Sequence, residues 1–219
     1  MRLTFYGDVL SIWCLLAEDA LAQLESQYPA GVEFEWKLAM IERGRAMGNT
    51  PAAERWYYDR CAYVTGRQFN PEWIDDIDST SYFANAAVEA TRLLGVTDGS
   101  VRRAMALAAC VDGRKVCHET EAIAVAAEAS GFRDDRIRAA LHDARVAQRL
   151  NAASAEFEAL GADLRPTIFI TNAIGDKVLL VGVYRFEPIK SSLEALLHDE
   201  LAYSTFAKVH APFPSLEDA

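Results

Sequence analysis

The sequence has no apolar run long enough to cross a membrane, and its first residues do not resemble a secretory signal. A membrane-spanning helix needs roughly 18 or more consecutive apolar residues, and no stretch approaches that length. The N-terminal segment has no apolar core followed by a small-residue cleavage site. We therefore expect a cytoplasmic protein with no membrane partner.

Positive charge is also in short supply. The chain has 22 Lys and Arg against 32 Asp and Glu, which gives a formal net charge of -10 at pH 7. A surface this acidic repels phosphate backbones and anionic lipid, so nucleic acid is not an expected partner. The 219 residues, of which 51% are hydrophobic, still suffice for a proper core in one or two domains.

Cysteine is sparse, with four in the whole chain, which excludes a disulfide framework. Such cysteines in a reducing compartment are core, redox or metal-binding residues. Cys110 and Cys117 are followed by His118, but a zinc site would use pairs at shorter spacing. We expect these cysteines to lie in the core at helix ends, and we expect no metal site.

The apolar pattern predicts a strand–helix–strand unit, a long helical section, and finally two strands and a helix. The predicted strands are Leu3–Tyr6, Val32–Leu38, Thr167–Ile170 and Val178–Val183, and the predicted helices are Ile12–Tyr28, Pro51–Thr65, Ser79–Leu94, Ser100–Cys110, Thr120–Ser130, Asp134–Leu160 and Glu187–Tyr203. The strands before and after the helical section can complete one sheet. This arrangement is typical of an α/β thioredoxin-like domain interrupted by an inserted all-α domain. We expect residues 1–40 and 160–219 to form the thioredoxin-like domain and residues 41–159 to form the insert.

Ser11 and Cys14 lie where the first predicted strand gives way to a helix. Unpaired N–H groups and the helix dipole favour an anion or a thiolate at such a junction. A cysteine there can have its pKa lowered from about 8.5 to roughly 3.5–7.5. Ser11 also suits a helix N-cap, Cys14 also suits a buried core position, and Trp13 suits either the core or the wall of a cleft.

The segment Asp8–Cys14 resembles the Asp-x-x-Cys-x-Trp-Cys motif of the DsbA family, in its cytoplasmic FrnE-like branch. Further resemblances follow in family order along nearly the whole chain: Thr65–Phe69, Ser79–Ala86, Arg165-Pro166-Thr167 at the position of the family's cis-proline, and Gly182 with Phe186-Glu187-Pro188. The resemblance implies a thiol-disulfide oxidoreductase that acts on protein thiols. Because serine replaces the nucleophilic cysteine, a two-cysteine exchange cycle at this motif is impossible. A monothiol route through Cys14, or glutathione as the second thiol, would then be required.

A second resemblance involves the same serine. Kappa-class glutathione transferases and 2-hydroxychromene-2-carboxylate isomerases have "DxLSPYS" at this point, and their "GNxPP" segment resembles Gly48–Ala52. In those enzymes the serine hydroxyl hydrogen-bonds the sulfur of glutathione. The resemblance implies that Ser11 activates a thiol, that Asn49 helps to hold the tripeptide, and that glutathione is a cosubstrate with no cofactor bound. Ile12 and Ala52 depart from the prolines of these motifs.

These observations predict a cleft where Ser11, Trp13, Cys14, Arg165 and Pro166 face the insert. Ser11 and Cys14 are the candidate catalytic residues; Trp13, Asn49, Arg165 and Pro166 are the candidate binding residues, with Arg165 a hypothetical partner for a ligand carboxylate.

Three functions remain open. The first is a DsbA-family oxidoreductase with a degenerate Ser-x-x-Cys motif, the second a glutathione-dependent isomerase or transferase, and the third a non-enzymatic protein that binds peptides or partner proteins. A homodimer stays open as well, since related folds dimerise.

Overall fold

The computed structural model describes residues 1–45, 48–76 and 80–210. Within these ranges the sheet has four strands, β1 (Arg2–Gly7), β2 (Glu33–Leu38), β3 (Thr167–Thr171) and β4 (Lys177–Val181). Their order is β2-β1-β3-β4, with β1 parallel to β2, and with β3 antiparallel to both β1 and β4. The two sequence-distant parts of the chain therefore complete a single sheet.

The described residues form eight α-helices and two short 3₁₀ turns, Ile41–Gly44 and Glu72–Asp76. The helices are α1 (Ile12–Gln27), α2 (Pro51–Thr65), α3 (Tyr82–Leu93), α4 (Ser100–Cys110), α5 (Glu119–Ser130), α6 (Asp134–Leu141), α7 (Ala144–Ala159) and α8 (Phe186–Val209). Helices α2 to α7 all lie between β2 and β3 in the chain, which confirms the expected α/β fold with a helical insertion. Among the helices described, none is both long enough and apolar enough to cross a bilayer.

The prediction of one helix over Asp134–Leu160 is wrong. The structure ends α6 at Leu141 and begins α7 at Ala144. Asp143 has an extended backbone, and its carboxylate accepts a hydrogen bond from the Arg145 N–H at 2.9 Å. This N-cap satisfies a free donor of the new helix, so it fixes the break that apolar periodicity alone did not reveal.

The sheet and the inserted helices share one contiguous core. Leu3 and Phe5 of β1 belong to the same buried cluster as Met105 of α4 and Ile123 of α5. Apolar burial of this kind is the main favourable contribution to folding. The insert is therefore packed against the sheet rather than tethered beside it.

A buried ion pair also joins the two parts. The Arg102 guanidinium on α4 donates two hydrogen bonds to the Glu18 carboxylate on α1, at 2.8 and 2.7 Å. Only 8% of the Arg102 side chain and 7% of the Glu18 side chain are exposed. Removal of one partner would leave an uncompensated charge in the interior, because the other cannot reach water.

Glu18→Ala should therefore lower the free energy of unfolding by about 3 to 5 kcal/mol, as measured by urea denaturation. The neighbouring Asp19 is a matched control, since its pairs with Arg67 and Arg103 are largely exposed. Asp19→Ala should cost less than about 1 kcal/mol. Equal losses in the two variants would contradict the structural role of the buried pair.

Candidate functional site

The candidate site begins at Ser11, the N-cap of α1. The loop after β1 is closed by a hydrogen bond from the Ser11 N–H to the Asp8 carbonyl at 3.0 Å. The Ser11 Oγ then accepts from the Cys14 N–H at 3.4 Å. A hydroxyl can donate as well as accept, and the same Ser11 side chain also hydrogen-bonds the Cys14 thiol beneath it.

A cleft of about 370 Å³ opens beside this hydroxyl. Its volume lies within the range of small-molecule sites in proteins. The residues that line it come from the N-terminus of α1, the start of the insert and the segments flanking β3 and β4: Leu10, Ser11, Ile12, Trp13, Ile41, Asn49, Glu54, Tyr57, Tyr58, Arg60, Leu164, Arg165, Gly182 and Tyr184. Of the five residues expected to face the cleft, Ser11, Trp13 and Arg165 line it, and Cys14 and Pro166 do not.

One wall of the cleft is aromatic and carries a cation. The rings of Trp13 and Tyr184 pack with their centroids 5.4 Å apart. The Arg60 guanidinium lies 5.2 Å from the Trp13 ring centroid and 5.7 Å from that of Trp56. Such ring contacts hold a guanidinium in place without neutralising its charge.

Four of the six predicted site residues line the cleft: Ser11, Trp13, Asn49 and Arg165. The Asn49 amide donates to the carboxylate of Glu54 in the first turn of α2. Pro166 is buried and does not line the cleft; a cis peptide bond joins it to Arg165.

Arg165 is anchored within the protein. Its Nε donates to the Ala39 carbonyl at 2.5 Å and its Nη2 to the Met40 carbonyl at 2.8 Å. Its guanidinium also lies 4.3 Å from the centroid of the Phe157 ring. Two of its five N–H donors are therefore engaged in holding the segment after β2, which leaves fewer of them for a ligand carboxylate.

Cys14 is the sixth predicted residue, and it points into the core. It is 3% exposed. Burial raises the pKa of its thiol to about 12, an effect that the nearby Ser11 side chain only partly opposes. Of the two arrangements left open by the sequence, the structure has the buried one, in which the thiol is neutral near pH 7.

Among the other residues that line the cleft are Tyr57 and Tyr58, which the sequence places at an interface that could also line a cleft, and Arg60 and Tyr184, which the sequence did not identify. Tyr57 and Tyr58 belong to a tryptophan–tyrosine cluster on α2 whose composition already suggests a boundary between insert and sheet domain. Arg60 lies three residues beyond Tyr57 on the same helix, a spacing that places the two on one face. No sequence signal identifies Tyr184, since it reaches the cleft only through the fold of the distant C-terminal segment.

The described ranges contain no group of three or more His, Cys, Asp or Glu side chains arranged to hold a metal ion. The cleft presents a hydroxyl at Ser11, the aromatic rings of Trp13 and Tyr184, and the guanidinium of Arg60.

Comparison with known protein families shows which family the chain belongs to. The DSBA-like thioredoxin domain matches residues 2–194. The chain belongs to this family. No curated protein matches it in sequence.

Solved structures of DSBA-like and related proteins share the fold. A Nitrosomonas europaea protein described as a protein disulfide isomerase aligns with a TM-score of 0.72 at 16% identity, over 90% of this chain and 98% of that one. The cytosolic disulfide reductase DsbM from Pseudomonas aeruginosa aligns at 0.69 and 20% identity, over 93% and 100%, and it has also been solved with GSH. A 2-hydroxychromene-2-carboxylate isomerase aligns at 0.64 and 16% identity, over 93% and 99%.

Thiol reactivity tests the placement of the cysteines in this DSBA-like protein. With a pKa of about 12 for Cys14, roughly one thiol in ten thousand is ionised near pH 8. All four cysteines are free and buried. Ellman's reagent should therefore react slowly with the native protein and rapidly with all four thiols after unfolding in urea. A native thiol that reacts as fast as free cysteine and disappears in Cys14→Ala would contradict this placement.

Proposed function

We propose that this DSBA-like protein is a glutathione-dependent enzyme, of the isomerase or transferase type, in which Ser11 acts on the thiol of glutathione. The observation that carries the proposal is the contrast between Ser11 and Cys14. Ser11 borders the cleft at the N-terminus of α1, whereas the Cys14 thiol is buried with a pKa of about 12. A monothiol redox route would need Cys14 to reach its substrate, so this geometry favours the serine.

The proposed chemistry is stabilisation of a thiolate. The Ser11 hydroxyl donates a hydrogen bond to the sulfur, and the first N–H groups of α1 add their partial positive charge. Hydrogen bonds to the charged form lower the pKa of a thiol, and each unit of lowering corresponds to about 1.4 kcal/mol. More of the bound glutathione is then in the nucleophilic form at neutral pH, and the proton that it loses passes to solvent.

The remainder of the cleft supports a peptide-like thiol with carboxylates. Arg60 is exposed at the cleft, and the described part of the chain gives it ring contacts but no ion pair. Asn49, just before α2, and Glu54, in its first turn, add an amide and a carboxylate to the lining of the cleft. One carboxylate of glutathione at Arg60, with the sulfur at Ser11, would place the tripeptide along α2.

The cellular setting follows from the same proposal. Glutathione is abundant and reduced in the cytoplasm, where buried free thiols such as those of this chain persist.

The aromatic side chains of Trp13, Tyr57 and Tyr184 line the same cleft and would contact a second, apolar substrate that receives the thiolate.

Ser11→Ala should weaken binding of reduced glutathione about tenfold to a hundredfold, the range for a hydrogen bond to a charged group. Isothermal titration calorimetry of the reduced protein measures this directly. Cys14→Ala is the matched control, since Cys14 is buried and does not line the cleft, and it should bind within about threefold of the wild type.

Three calorimetric outcomes count against the proposal. Undiminished binding in Ser11→Ala removes the serine from the site, and loss of binding in Cys14→Ala alone restores the monothiol route. The absence of binding at millimolar glutathione would favour a cleft that takes a peptide or a partner protein.

Arg60→Leu should weaken glutathione about threefold to tenfold, as expected for a half-exposed ion pair with a ligand carboxylate. Arg60→Lys keeps the charge and should recover part of the affinity. The diethyl ester of glutathione, titrated in parallel, should bind wild type and Arg60→Leu alike. If Arg60→Leu weakens the ester as much as glutathione, then Arg60 acts by packing on Trp13 and not through charge.

A further inference from the structure

Asp8 is a buried carboxylate directly below the candidate site. It directly follows β1, three residues before Ser11, and is 1% exposed. Its Oδ1 accepts from the Leu10 N–H at 2.9 Å, and its Oδ2 accepts from the Ile41 N–H at 2.7 Å. Leu10 and Ile41 both line the cleft. One side chain therefore joins the loop that bears Ser11 to the segment that follows β2.

Asn85 holds the same loop from the side of the insert. It lies on α3 and is fully buried. Its Nδ2 donates to the Asp8 Oδ2 at 3.0 Å, and its Oδ1 accepts from the Val9 N–H at 3.3 Å. A further bond from Nδ2 to the Ser81 carbonyl, at 2.8 Å, fixes the amide on its own helix. The loop is thus held through both a side chain and a backbone N–H.

The segment after β2 is held from two directions. Ile41 is bonded to Asp8, while the carbonyls of Ala39 and Met40 accept from Arg165. A shift of Asp8 would therefore move the Ser11 loop and the Ile41 wall relative to each other. Buried donors that lose their acceptor are costly, so these segments cannot separate freely.

We propose that Asp8 and Asn85 are positioning residues that set the place of the Ser11 hydroxyl, so that thiol activation at the cleft depends on a side chain of the helical insert. This rests on the proposed function of Ser11. Neither residue touches the ligand in this account; both act through the loop Val9–Ser11 and the wall at Ile41. A carboxylate with two acceptor oxygens is required, because its donors approach from two sides.

Asp8→Asn is the sharpest variant, since it keeps the size of the side chain but turns one acceptor oxygen into a donor group. Glutathione should still bind, because Asn49 and Arg60 are untouched. The pKa of the bound thiol, titrated through the ultraviolet absorbance of its thiolate, should rise by about one unit. Asn85→Ala should produce a smaller rise of the same kind.

Hydrogen exchange followed by mass spectrometry gives a second readout that needs no ligand. Exchange in the peptides that contain Leu10 and Ile41 should accelerate about tenfold in Asp8→Asn, while peptides from α5 and α7 stay unchanged. Glu18→Gln is the matched control, because it removes another buried carboxylate whose partner lies away from the cleft on α4. It should lower stability without changing the pKa of the bound thiol.

The outcomes separate the two proposals. If the wild type binds no glutathione, the proposed function fails, and local exchange alone decides whether Asp8 and Asn85 hold the loop. An unchanged thiol pKa together with unchanged local exchange in Asp8→Asn overturns the positioning role. If Asp8→Asn does not fold, the same two readouts on Asn85→Ala decide the question.

Discussion

A carboxylate shut away from water has to be met by hydrogen-bond donors, and at Asp8 those donors come from three separate parts of the chain. One is the loop that follows β1, one is the segment after β2, and one is α3 in the insert. These parts must meet around the carboxylate for the fold to close. The cleft opens at that meeting point, so the same constraint that joins the sheet to the insert also forms the site.

Ser11 and Cys14 are separated by about one helical turn, and this spacing places their side chains in different surroundings. The N-cap side chain of α1 lies at the mouth of the cleft, while the residue at the third helical position turns into the core beneath it. The Cys14 N–H binds the serine oxygen, and its side chain fills space against the end of β1. In this chain, the serine oxygen borders the cleft at the helix terminus, and the sulfur is buried in the core.

Much of the fold could be predicted from residue patterns. The apolar run of β1, the cap at Ser11 and the β-branched strand after Pro166 are local signals, and each appears where expected. The break between α6 and α7 could not be predicted from periodicity, because it depends on the Asp143 cap. The full length of α8 was also missed, since residues 201–210 are exposed and have no core-facing pattern.

The candidate site could also be predicted only where local sequence signals identify its residues. Ser11, Trp13 and Asn49 lie in motifs, so the sequence identifies them. The burial of Cys14, the anchoring of Arg165 on backbone carbonyls and the arrival of Tyr184 beside Trp13 all depend on contacts between distant segments. Spacing along the chain does not contain that information.

The most direct test of this account is a crystal structure of the reduced protein soaked with reduced glutathione. The account predicts the glutathione sulfur within hydrogen-bond distance of the Ser11 Oγ, one carboxylate near Arg60, and a Cys14 thiol that remains unmodified in the core. A covalent bond between glutathione and Cys14, or a ligand bound away from Ser11, would contradict it.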